Sequence, residues 1–123
     1  MNVVDSSGWL EYFADAPNAD FFAPVIENTD ELIVPVISLY EVFKRILQQR
    51  DENEAWQAIA AMQQGQVVEL TSSIALSAAK ISATLKIPMA DSLILATARA
   101  YQATLWTQDA DFAPLPEVKY IKK

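Results

Sequence analysis

The chain has 123 residues, with 16 acidic and 9 basic side chains and a formal net charge of −7. At 52% hydrophobic and 20% charged residues it reads as one globular domain, residues 1–123, and not as a disordered segment. Cysteine and histidine are both absent, which excludes disulfide scaffolds, thiol nucleophiles, Ser-His-Asp triads and the common zinc sites. Catalysis is then left to carboxylates and, through them, to a hard divalent cation.

In chain order, Asn2–Asp5 (NVVD) is a short β-branched run and predicts a strand ending in an acid. Ser6 or Ser7 is placed to cap a helix running through Glu11–Phe13. Pro17 fits the first turn of a second helix reaching about Asn28. Leu32–Val34 predicts a buried strand stopped by Pro35. A helix over Ser38–Arg50 would carry Leu39, Val42, Phe43, Ile46 and Leu47 on one stripe. Asp51 and Glu54 resemble a capping box opening a helix with Trp56, Ile59, Ala60 and Met62 on its apolar face and Gly65 at its C′ position. Val67–Leu70 predicts a third strand. Thr71 or Ser72 caps a helix carrying Ile74, Ala78, Ile81 and Leu85, broken by Ile87-Pro88. Ala90–Gln102 predicts a further helix, Thr104–Trp106 a fourth strand ending at Thr107, and Val118–Ile121 an edge strand. This alternation predicts an α/β fold with a central, mostly parallel sheet of four to five strands flanked by helices.

Two features of charge and hydropathy bear on setting. Residues 1–43 hold eight acids and no Lys or Arg, which argues against a broad basic surface for nucleic acid. The start MNVVDSSGW has no basic n-region, and no apolar run approaches the about 18–20 residues of a spanning helix. The expectation is a cytoplasmic protein with no membrane association.

In parallel α/β sheets ligands collect beyond the carboxyl ends of the strands. Asp5 ends the first strand, Asp109 and Asp111 follow the fourth, Asp91 opens the helix leading into it, and Glu41 lies one turn into the helix after the second. Each has a plainer reading. Asp5, Asp109 and Asp111 also suit turns, Asp91 complements a helix N-terminus, and Glu41 has Lys44 or Arg45 as an i+3 or i+4 partner. Converging at one edge they would repel, since two unit charges 4 Å apart cost about 4 kcal/mol at an effective dielectric near 20. Oxygen-only ligation selects Mg²⁺ or Mn²⁺, and one or two such ions make a site for phosphodiester hydrolysis. Ser6, Ser38 and Thr107 each flank an acid and are candidates to orient it, or equally caps and turns. Trp9, Tyr12, Phe13 and Trp106 read as core or interface.

Taken together, VVDSSGWLEYF, VISLYEVFK, IPMADSLILATA and LWTQDADF resemble, in order and spacing, the motifs of PIN domains, and more closely those of VapC-type toxins of toxin–antitoxin pairs. The resemblance covers essentially the whole chain. It implies a metal-dependent endoribonuclease in which Asp5, Glu41, Asp91 and Asp109 form the metal-binding quartet, with Asp111 as a further acid. It further implies an RNA substrate, which Lys44 and Arg45 beside Glu41 are placed to contact, a cognate antitoxin and a homodimer. The competing readings are a PIN nuclease of RNA processing and a non-catalytic binding module. A haloacid-dehalogenase-like phosphatase would need a second acid at Ser7, where none stands.

Overall fold

A computed structural model describes every residue from Met1 to Lys123. The short β-branched runs become strands β1 (Asn2–Val4), β2 (Leu32–Pro35), β3 (Gln66–Val68), β4 (Thr104–Thr107) and β5 (Val118–Tyr120). They form one sheet in the order β3-β2-β1-β4-β5, and every neighbouring pair is parallel. Six helices connect and cover them: α1 (Ser6–Phe13), α2 (Ala19–Glu27), α3 (Val36–Gln49), α4 (Glu52–Met62), α5 (Ser72–Leu85) and α6 (Met89–Ala100). None of these helices is long and apolar enough to cross a membrane.

Strand alternation sorts the apolar side chains into two cores, one on each face of the sheet. Val3, Ile33 and Leu105 point to one face, where they pack with Ile74, Ala78 and Ile81 of α5 and Leu93–Ala96 of α6. Val4, Leu32 and Val34 point to the other, against Trp9, Phe22, Val42, Ile46, Ala55, Ile59 and Met62 from the first four helices. Helix α6 is buried continuously from Ser92 to Ala98, which is why its sequence is apolar on every side.

The prolines and glycines act differently from the sequence expectation. Pro17 lies before α2, which starts at Ala19 after an Asn18 cap. Pro35 does not stop β2 but pairs with Val68 as its last residue and caps α3, so that helix begins two residues before Ser38. Gly65 is not in a left-handed conformation. Its lack of a side chain serves close approach, since a Cβ there would stand 3.1 Å from the Leu32 side chain and carbonyl.

The caps and faces of the helices also divide. Asp51 accepts from the Glu54 N–H at 2.8 Å and Thr71 from the Ile74 N–H at 3.2 Å, as expected of capping residues. The buried face of α4 is Ala55, Ala58, Ile59 and Met62, while Trp56 and Ala60 face outward. On α3 the buried line is Ser38, Val42 and Ile46; Leu39 and Phe43 are half-buried and Leu47 is exposed. Helix α4 covers only one flank of α3, so Leu39, Phe43 and Leu47 line an open groove with Tyr40, Trp56 and Ile59. At the end of α5, Leu85 is also partly exposed, where the helix closes on Lys86 in the left-handed conformation.

Gly8 is the tightest point of the fold. A Cβ there would stand 2.7 Å from Val4 Cγ1 and from Phe22 Cε1, so α1 lies directly on β1 and α2. Alanine normally gains about 1 kcal/mol over glycine in a helix, but overpacking costs about 1–3 kcal/mol, and Val4 and Phe22 are fully buried and have nowhere to move. Gly8→Ala is therefore expected to destabilise the fold by about 1–2 kcal/mol, read as a lower urea midpoint at unchanged m-value; a rise in the midpoint would disprove the close packing.

Candidate active site

The chain adds β2 and β3 on one side of β1 and β4 and β5 on the other, so the order reverses between β1 and β4. Crevices form at the carboxyl ends of such a pair. Asp5 follows β1 there, and its N–H donates to the Trp106 carbonyl at 3.0 Å, which continues the β1–β4 pairing to the rim. Asp109 follows β4. Helix α6 brings Asp91 to the same place in its first turn, and α3 brings Glu41 in its second.

Asp5, Glu41, Asp91 and Asp109 line one pocket of about 220 Å³, together with Ser6, Ser7, Leu10 and Arg45. Of the remaining sequence candidates, Thr107 is fully buried directly behind Asp5. Asp111 is exposed and off the pocket wall; its N–H donates to Asp109 Oδ1 at 2.9 Å. Ser38 is buried without a hydrogen-bond partner and does not reach the pocket. Lys44 lies in the apolar groove instead, with its Nζ 5.7 Å from the centre of the Tyr40 ring. Arg45 is thus the one base on the pocket wall.

The serines expected as caps of α1 are used otherwise. Asp5 takes the N-cap position without a side-chain cap bond, and Ser6 and Ser7 are the first two helical residues. Ser6 Oγ donates to Glu41 Oε1 at 2.7 Å, and Ser7 Oγ to Asp5 Oδ2 at 3.1 Å. Thr107 Oγ1 donates to the same Asp5 oxygen at 2.8 Å and accepts the Asp109 N–H at 2.9 Å. Three hydroxyls therefore fix two carboxylates and one stretch of backbone. Sequence reasoning missed Gln108, a buried amide whose Nε2 donates to Glu11 Oε1 at 3.2 Å. Its only signal was its place between Thr107 and Asp109.

Crowding shows in the acidities. Burial raises the Asp5 carboxyl above its ordinary 3.8; the Thr107 and Ser7 hydroxyls work against this, and the Asp109 and Glu41 charges add to it. Burial, with the charges of Asp5, Asp109, Glu41 and Asp111, pushes Asp91 from 3.8 to about 7. A cation among these groups would remove the repulsion. As they stand, no three of the acids form a group able to hold an ion directly. The donor set is oxygen only, which fits Mg²⁺ or Mn²⁺.

A family model for the PIN domain matches residues 3–118. The chain belongs to the PIN-domain family. The five-stranded parallel sheet with its six helices is the fold of a PIN domain. Solved structures similar to this PIN domain include a toxin-antitoxin complex from Klebsiella pneumoniae, at 21% identity over 97% of this chain and 96% of that one, with a TM-score of 0.81. Another is VapC20 of Mycobacterium tuberculosis, described as a sarcin-ricin loop cleaving toxin, at 14% identity, 94% and 95% coverage and a TM-score of 0.80. A third is VapBC2 from Rickettsia felis bound to a DNA fragment from its promoter, at 14% identity, 98% and 97% coverage and a TM-score of 0.75. At these identities the likeness is one of fold. No curated protein matches the chain by sequence.

The raised pKa of Asp91 predicts how stability varies with pH in the absence of divalent ions. The folded state holds a proton that the unfolded chain has already lost, so the Asp91 contribution is greatest below about 4 and is lost as pH rises to about 7. Thermal melts in EDTA should show Asp91→Asn gaining on the wild-type chain across that interval and levelling off above it. A constant difference between the two would remove Asp91 from the cluster.

Proposed function

We propose that this PIN domain is the toxin of a type II toxin–antitoxin pair, a Mg²⁺- or Mn²⁺-dependent endoribonuclease working in the cytoplasm. The observation that carries the reading is the convergence of Asp5, Glu41, Asp91 and Asp109 on one pocket at the switch point of the sheet. These four, with Asp111 at the rim, would hold one or two ions. A bound ion of this class supplies an acidified water and stabilises charge on a phosphate.

The chain's own groups prepare that chemistry. Thr107 and Ser7 hold the Asp5 carboxylate from two sides, and Ser6 holds Glu41, so two carboxylates are oriented before any ligand arrives. Arg45, one turn along α3 from Glu41, is placed to receive an oxygen of the RNA phosphate. Asp91 would have to give up its proton to hold a cation in the pocket, so affinity for the ion would rise with pH through about 7.

The partner follows from both fold and surface. Solved complexes of similar fold are toxins with their antitoxins. Here a groove of about 360 Å³ between α1, α3 and α4, lined by Leu10, Phe13, Ile46 and Ala58 among others, meets the acidic pocket at Leu10, which lines both. Gln49, Arg50, Glu54 and Gln57 line the same groove, so an amphipathic antitoxin segment seated there would have neighbouring residues near the carboxylates. The homodimer expected of such toxins would bury some of the exposed apolar side chains, among them Tyr40, Leu76 and Met89.

The test is thermal unfolding and RNA cleavage with EDTA, Mg²⁺ or Mn²⁺. A ligand that binds only the folded chain stabilises it by about 2.7 kcal/mol at a hundredfold excess over Kd, so Mn²⁺ should raise the Tm by several degrees. Asp5→Asn should fold normally, lose that rise and lower cleavage of a fluorogenic RNA by at least about 100-fold. Arg45→Ala should keep the Mn²⁺ response and raise KM for RNA. A wild-type chain with no metal response and no cleavage would leave the acids as a binding surface and refute the nuclease reading.

A further inference from the structure

Gln108 stands between Thr107 and Asp109 but does not line the acidic pocket. Its side chain, 4% exposed, turns toward α1 and the start of α2. There its Nε2 donates to Glu11 Oε1 at 3.2 Å and, at the longer distance of 3.5 Å, to the Ser7 carbonyl. Its Oε1 accepts from Asn18 Nδ2 at 3.0 Å. The Asn18 N–H donates to Glu11 Oε2 at 2.9 Å, which closes a ring of Gln108, Glu11 and Asn18 and engages both oxygens of the Glu11 carboxylate. Asn18 Nδ2 also reaches the Lys122 carbonyl at 3.2 Å, tying the C-terminal segment to the same ring.

This ring has a mechanical consequence for the pocket. The segment after β4 carries the Thr107 hydroxyl, which holds Asp5, and the Asp109 carboxylate, which faces it. The backbone between them passes through Gln108. A buried amide bonded on both of its ends permits one path for that backbone, whereas an exposed loop has many. Helix α1, which supplies Glu11, also begins at Asp5, so the ring fastens the two halves of the site to one rigid element.

We infer that Gln108, clamped by Glu11 and Asn18, is a positioning residue that sets Asp109 relative to Asp5 and thereby the affinity of the pocket for a divalent cation. The inference rests on the proposed metal site and adds residues that touch neither the ion nor the RNA.

The ring allows a swap that separates positioning from packing. In Gln108→Glu two carboxylates face each other. In the double variant Glu11→Gln/Gln108→Glu the pattern is restored: the new amide at 11 donates to the new carboxylate at 108 and accepts the Asn18 N–H, and the carboxylate accepts from Asn18 Nδ2. Only the long contact to the Ser7 carbonyl is lost. Mn²⁺ affinity of the full chain is read from the electron paramagnetic resonance of free Mn²⁺, well below each variant's Tm, with Gln108→Ala as a third variant. Gln108→Glu and Gln108→Ala are expected to weaken Mn²⁺ binding by about tenfold or more, and the swap to recover to within about threefold of wild type. Variants that lose Tm but bind Mn²⁺ as wild type does would show a purely structural ring and overturn the inference, as would a folded swap no better than Gln108→Glu. A wild-type chain that binds no Mn²⁺ overturns the metal-site reading first, and this inference with it.

Discussion

A carboxylate buried at the end of a central strand has to be held by something, and much of this site consists of what holds Asp5. Its side chain is almost inaccessible, so water does not solvate it. An ionised carboxylate without partners in such a place is strongly disfavoured. Two hydroxyls donate to one of its oxygens, from Ser7 on α1 and from Thr107 on β4. Those donors come from the elements on either side of the switch point, so fixing Asp5 also fixes the crevice. Thr107 then accepts the Asp109 N–H and carries the same constraint into the next segment. A single buried carboxylate thus accounts for two polar residues, Ser7 and Thr107, that a purely structural sheet end would not need.

The hydroxyls do not remove the opposition of the charges. Burial and the neighbouring acids still raise Asp5, and Asp91 rests near neutrality for the same reasons in the same order. The sequence contains no histidine to share the charge, and the nearest base, Arg45, is exposed at the rim without an ion-pair partner. The folded chain therefore carries an electrostatic debt at one place that a proton or a cation relieves. Structural ion-pair networks also perturb acidities, but they do so with both signs of charge present. Here four acids share the pocket with a single base, Arg45, so the negative charges outnumber their counter-charge.

Much of this was legible in the sequence, for identifiable reasons. The strands are short β-branched runs; Asp5 and Asp109 follow strands, Glu41 lies early in the helix after β2, and Asp91 opens the helix that leads into β4, so all four fall at the carboxyl edge of the sheet. What stayed hidden depends on direction and not on position along the chain. Ser6 and Ser7 look like caps because a cap and a carboxylate-orienting hydroxyl have the same sequence. Gln108 is an unremarked polar residue until β4 delivers it against Glu11 and Asn18, nearly a hundred positions away by the Glu11 hydrogen bond, at a separation of 97 residues. Ser38 has the right residue type one turn from Glu41, yet α3 turns it into the core. Gly65 suggests a left-handed cap, but the helix ends without one and the glycine is needed for clearance against Leu32.

Helix α3 shows why direction matters. Lys44 and Arg45 are neighbours in sequence and equal candidates there for contact with RNA. A helix advances about 100° per residue, from its 3.6 residues per turn, and the two side chains go to different surfaces. Glu41 and Arg45, four apart, face the acidic pocket. Tyr40, Lys44 and Leu47, at i, i+4 and i+7, face the apolar groove beside Trp56. One rigid helix thus carries an acid and a base of the pocket on one line and an unfilled apolar groove on the next. Anything seated in that groove touches the helix that carries Glu41, because Tyr40 and Glu41 are consecutive residues of α3. The pocket and the groove are therefore lined from two faces of one helix, set apart by helical geometry.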